Sequence, residues 1–154
     1  MAKRVRIGDI MQMLSSEGVS YAQITHKHPD FGFLIRVMPG AYDRMPENLS
    51  VVVDQEPQFS TFLAVQSAVN AQVFAIVGNV PVAARNERFP IFRVTIYGKD
   101  GAVGPWWLWD GQQEVRLERA LTDAERKYPI RSIISAPLLL KRIETGYRAE
   151  DHDF

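Results

Sequence analysis

Cysteine is absent from this 154-residue chain, which excludes a disulfide framework, a thiolate metal site and a cysteine nucleophile together. No apolar run approaches the roughly 20 residues that a membrane helix needs, and the charge-rich start lacks an apolar stretch of signal-peptide length. A cytoplasmic location, with no membrane partner, is the resulting expectation. Neither sign of charge dominates: Lys and Arg number 18 and Asp and Glu number 18. The balance also holds locally, with six basic and seven acidic residues over 1–77 and twelve and eleven over 78–154. Nucleic acid is therefore disfavoured, because phosphate binding calls for a clustered basic stripe. The nearest approach to one, Lys3-Arg4-Val5-Arg6, reads as an exposed terminus. No serine lies in a G-x-S-x-G setting, Gly78-Asn79-Val80 lacks the further glycines of a dinucleotide fingerprint, and no Walker-type Gly-Lys-Ser/Thr occurs. No cofactor is implied.

What the chain does have is a concentration of tryptophan. All three, Trp106, Trp107 and Trp109, fall just before the turn signal Asp110-Gly111 and shortly after Phe89-Pro90-Ile91-Phe92. In a strand, Trp107 and Trp109 share one face and Trp106 and Leu108 the other. At least one of these faces must be core. The remainder suits a recognition patch, since Trp is enriched at interfaces. The neighbours Phe92 and Arg93 extend the candidate binding set to Trp106, Trp107, Trp109, Asp110, Phe92 and Arg93.

The periodicity predicts an α+β domain over 1–154 with an ordered core at about 7–148, mainly a curved antiparallel sheet or open barrel with two short C-terminal helices. The expected strands are Asp9 to Leu14, Val19 to Thr25, Phe31 to Met38, the β-branched run Leu49 to Val53, Phe59 to Phe62, and Ile91 to Tyr97. They continue with the tryptophan strand and Glu114 to Leu117. His26 to Asp30 reads as a loop, Ala64 to Gln72 as a short helix, and Lys99-Asp100-Gly101 as a turn. The run Val73 to Val77, apolar throughout, predicts a central strand buried on both sides, and Pro81 to Arg88 a polar connection. Thr122-Asp123-Ala124-Glu125 has the capping-box pattern of a helix start that Pro129 ends. Ser135 caps a second helix, with Pro137 in its first turn and Gly146 as its stop. Residues after Arg148 read as a frayed polar tail.

Two constellations carry possible chemistry. His26 and His28, two apart, would project from one face of an extended strand, with Asp30 adding an oxygen, as a metal site could use; His152 is a poor third ligand. An exposed polar loop explains the same residues without a metal. Asp110 and Glu114 could approach across a hairpin as the paired carboxylates of a glycosidase, and sugars stack well on Trp. Asp before Gly is equally a standard hairpin-turn residue. Arg36 and Arg93 each interrupt an apolar strand. An inward arginine would need a carboxylate partner, so burial statistics favour the outward placement.

The order of several motifs resembles the bacterial polymorphic-toxin immunity proteins, specifically immunity protein family 26 and its stand-alone relatives. The elements are Ile7-Gly8-Asp9-Ile10, Tyr21-Ala22-Gln23, Phe31-Gly32-Phe33-Leu34-Ile35-Arg36, Val77-Gly78, Phe89-Pro90-Ile91-Phe92-Arg93 and Trp106 to Gly111. The resemblance implies a small cytoplasmic protein that binds and neutralises a cognate toxin, with no chemistry or catalytic residues of its own. A carbohydrate-active or metal-assisted hydrolase is the alternative expectation. A homo-oligomer built through the tryptophan face is the third.

Overall fold

The computed structural model describes residues 3–97, 100, 103–152 and 154. In chain order its elements are β1 (Asp9–Ser15), β2 (Gly18–His28), β3 (Gly32–Val37), α1 (Leu49–Val53), β4 (Phe59–Leu63), α2 (Val65–Asn70), β5 (Ala75–Asn79) and α3 (Ala84–Glu87). There follow β6 (Phe92–Tyr97), β7 (Val103–Trp109), β8 (Glu114–Arg116), β9 (Ile133–Ile134) and α4 (Ala136–Glu144). The α+β class expected from the sequence is observed. The chain divides into two compact units, Met1–Arg88 with Ser132–Tyr147 and Phe89–Arg131 with Arg148–Phe154.

The first unit is an open six-stranded sheet in the order β5-β1-β2-β3-β4-β9, antiparallel except for the parallel β4–β9 pairing. Strand alternation sends Met11, Met13, Ala22, Ile24, Ile35 and Val37 to one face, where Val65, Ala68 and Val69 of α2 and Leu139 of α4 cover them. Ile10 and Tyr21 point to the other face and pack with Val52 and Val53 of α1. Ser135 caps α4 as expected, its side chain accepting from the Leu138 amide, with proline in the first turn. Val5 is buried in the larger core and its amide donates to Gln66 Oε1, so the basic start is anchored at its centre.

Four expectations are corrected. The apolar run Val73 to Val77 is not central: β5 is an edge strand, Val73 lies outside it and is exposed, and Phe74 alone of the run is buried. The centre belongs to β2, buried from Ser20 to Thr25. Hydropathy hides this, because Ser20, Gln23 and Thr25 are polar residues at buried positions. Leu49–Val53 is a helical turn rather than a strand, because the Asn48 side chain caps it by accepting from Ser50 N and Val52 and Val53 bury against Tyr21. His26 to His28 extend β2, paired with Leu34, Phe33 and Gly32, which leaves only Pro29-Asp30-Phe31 as the turn. The connection from Pro81 to Arg88 contains the four-residue α3.

The second unit is the antiparallel sheet β6-β7-β8, with a 3₁₀ turn at Glu125–Lys127 and another at Ala149–Asp151. The capping box is present: Thr122 N donates to the Glu125 carboxylate and Glu125 N donates to Thr122 Oγ1. The tail is not frayed at Ala149, which is buried. Lys99 and Gly101 of the expected turn lie outside the described residues.

Gly111 closes the β7–β8 hairpin at φ +100°, and a Cβ there would sit 2.8 Å from Phe89 Cε1. Gly111→Ala should therefore lower unfolding free energy by about 2 kcal/mol, from left-handed strain plus displacement of the ring. Urea denaturation followed by tryptophan fluorescence measures this, and an unchanged midpoint would contradict it.

Candidate functional site

The register of the second unit decides which tryptophans can meet a partner. Trp109 pairs with Phe92 and Glu114, Trp107 with Val94 and Arg116, Leu108 with Arg93 and Val115, and Trp106 with Thr95. Trp109 and Phe92 are buried and form an aromatic core with Phe89, at centroid separations of 5.4 to 5.8 Å. Arg131 caps that core, its Cζ 5.0 Å from the Trp109 ring, and forms an ion pair with Glu114. Trp109 and Phe92 thus form a buried support beside Trp107, on the face that the three share. Trp106, Trp107 and Leu108 are half-buried, and Val115 is exposed. They are the accessible part of the expected patch.

Arg93 is only 4% exposed, which corrects the outward placement. Its Nε donates to Tyr128 O at 3.1 Å and its Nη2 to Ala149 O at 2.6 Å. Charge-assisted bonds to carbonyl oxygens take the role expected of a carboxylate. The guanidinium Cζ lies 5.1 Å from the Trp106 ring and 5.5 Å from that of Phe154, and these two rings meet edge to face at 5.2 Å. A cleft of about 600 Å³ opens beside this group, lined by Arg93, Trp106, Arg116, Arg119, Glu150 and His152 among others. Arg119 grips the Glu125 carboxylate at 2.7 and 3.1 Å. Those bonds, with the Thr122 amide, pull the Glu125 carboxyl down to about 2.

The expected carboxylate pair has other duties. Asp110 Oδ1 accepts from Gln113 N and Gln112 N, both at 2.8 Å, and these amides hold its carboxyl below the usual range. A glycosidase acid needs the opposite shift. Glu114 is committed to Arg131. The turn reading of Asp110 is the one the geometry bears out.

The histidines are engaged as well. His26 Nε2 lies 2.7 Å from Glu87 O and Nδ1 lies 2.9 Å from Thr25 Oγ1. A carbonyl only accepts, so Nε2 carries the proton and Nδ1 receives the Thr25 hydroxyl. His28 Nδ1 accepts from the Asp30 and Phe31 amides. Among the described residues no group of three or more His, Cys, Asp or Glu is placed to hold a metal.

Sequence reasoning missed Arg36 of β3, which is buried rather than outward. Its Nη2 donates to Arg88 O at 2.7 Å and Asn86 O at 3.4 Å, and its Nη1 to Ser60 Oγ. Burial lowers its pKa to about 10. With His26 it holds the three successive carbonyls of Asn86, Glu87 and Arg88. Its register partner Gln23 is buried too; Gln23 Oε1 and Arg36 Nε have no hydrogen bond among the described residues.

No protein-family model, curated protein or solved structure matches the chain. No helix among the described residues is long and apolar enough to cross a membrane.

Burial lowers the His26 pKa, and the nearby Arg36 charge adds to the effect. The unfolded chain then binds a proton more readily than the folded one, so stability is full above the unfolded value of about 6.5 and declines as pH falls through the lower folded value. His26→Gln keeps a donor for Glu87 O and removes the titration. Between pH 7 and pH 5 the wild type should lose more thermal stability than this variant, and parallel melting curves would refute the assignment.

Proposed function

We propose that the protein is a binding module that engages a protein partner through the β6-β7-β8 sheet, with Trp107 as the central contact. Half-exposed tryptophan on a rigid support is the single observation that carries this reading. Trp and Arg dominate interface hot spots, and a large ring held at one χ setting loses little entropy on binding. Trp107 has Arg116 over its ring at 5.9 Å, so its exposed part is already oriented. The resemblance of the motif order to immunity protein family 26 narrows the partner to a toxin domain, which the protein would neutralise by direct occlusion inside the cell. Fold and surface alone leave function to the site, so the partner has to be found.

Affinity capture with the tagged wild type beside Trp107→Ala tests the reading. A partner should bind the wild type stoichiometrically and lose about 2 kcal/mol of affinity with the variant, roughly 30-fold in Kd. Expressing that partner alone should arrest growth, and co-expression of this chain should restore it. Equal binding by folded Trp107→Ala would reject the surface; a harmless partner would reject the toxin.

A further inference from the structure

In the second unit an aromatic ring of the same chain sits against a buried guanidinium. Arg93 is fixed by Tyr128 O and Ala149 O, so its guanidinium plane is set before anything binds. The Trp106 ring centroid lies 5.1 Å from Arg93 Cζ, and Phe154 completes the group, 5.5 Å from Arg93 Cζ and edge to face with Trp106 at 5.2 Å. His152 lies against the same phenyl ring at 4.4 Å, tilted by 58°. Phe154 is nevertheless 39% exposed, so the ring is seated against the group without being sealed in the core. The cleft of about 600 Å³ beside it has room for a larger insertion than one phenyl group.

We infer that Arg93 and Trp106 form an aromatic-anchor site, in which Phe154 stands in for an aromatic side chain of the partner and must lift to admit it. The chemistry is specific to a π-face. A guanidinium attracts the electron-rich face of a ring, and an indole edge and face pair with a second ring at an angle, whereas an aliphatic side chain supplies neither contact. Self-occupancy lowers the apparent affinity by the fraction of molecules in which the site is open. Removing the occupant therefore strengthens binding. This inference rests on the binding-module reading and names the partner's anchoring group.

The test needs no partner. Full-length Phe154→Ala, titrated with N-acetylphenylalanine amide, should shift the Trp106 indole N–H resonance and half-saturate at a concentration at least about threefold lower than in the wild type. N-acetylleucine amide should leave that resonance in place. Phe154→Leu, which keeps bulk near Trp106, should fall between the two and serves if the alanine variant is not well folded. A folded variant whose Trp106 signal ignores the phenyl probe, responds equally to leucine amide, or titrates as in the wild type would overturn the inference. Probe binding without any captured partner would uphold the site and sink only the partner reading. A captured partner with no probe response would do the reverse.

Discussion

The second unit is organised around one buried guanidinium. Moving a charge out of water costs several kcal/mol even after relaxation, and Arg93 offsets this with charge-assisted bonds to carbonyls from two separate stretches, Tyr128 and Ala149. Its backbone adds a further tie, since Arg93 N donates to Pro129 O and Arg131 N donates to Arg93 O. A single residue of β6 therefore secures the passage 128–131 and the tail that begins at Arg148. Arg131 then reaches Trp109 and Glu114, and Phe154 reaches Trp106. The tryptophan surface inherits its rigidity from that one group.

The first unit uses the same device independently. Arg36 is buried against the carbonyls of Asn86 and Arg88, and His26 takes the one between them. Carbonyl oxygens suit this task because they cannot be protonated in the working range, so the bonds persist where an Arg–carboxylate pair would weaken with acid. The pH sensitivity is confined to His26, whose imidazole must gain a charge beside Arg36 to titrate. Carbonyl acceptors also let residues as chemically different as Asn86, Glu87 and Arg88 serve, and the Asn86 side chain adds its own bonds to Val53 O and Gln55 O.

Much of the architecture was legible because it rests on local rules. The Asp110-Gly111 turn, the Thr122–Glu125 box and the Ser135 cap are short-range hydrogen-bond patterns with defined residue types, and each is found where its pattern stands. The order of the sheet was less legible. Val73 to Val77 is more apolar than β2, yet β2 is central, because Ser20, Gln23 and Thr25 are hydrogen-bonded polar groups inside the fold. Both arginines were misplaced for one reason: a rule that pairs buried arginine with carboxylate cannot see backbone carbonyls brought in from residues 35 to 56 positions away. The candidate site was found as a cluster. Which members are accessible and which are buried depended on register, which only the paired strands supply.

The Asp110, Glu114 and Glu125 carboxylates of the second unit are taken up by the fold. A catalytic carboxylate is kept out of strong structural bonds or pushed up in pKa so that it can exchange a proton. Asp110 and Glu125 are instead held down by amides and by Arg119, and Glu114 is ion-paired with Arg131. Their charges are spent on fixing backbone and arginine. The apolar groups divide differently: Trp109 and Phe92 are buried in an aromatic core with Phe89, while Trp106, Trp107 and Leu108 retain accessible area. A surface so arranged has its polar groups committed to the fold and part of its aromatic area still accessible, the combination on which the proposed binding role rests.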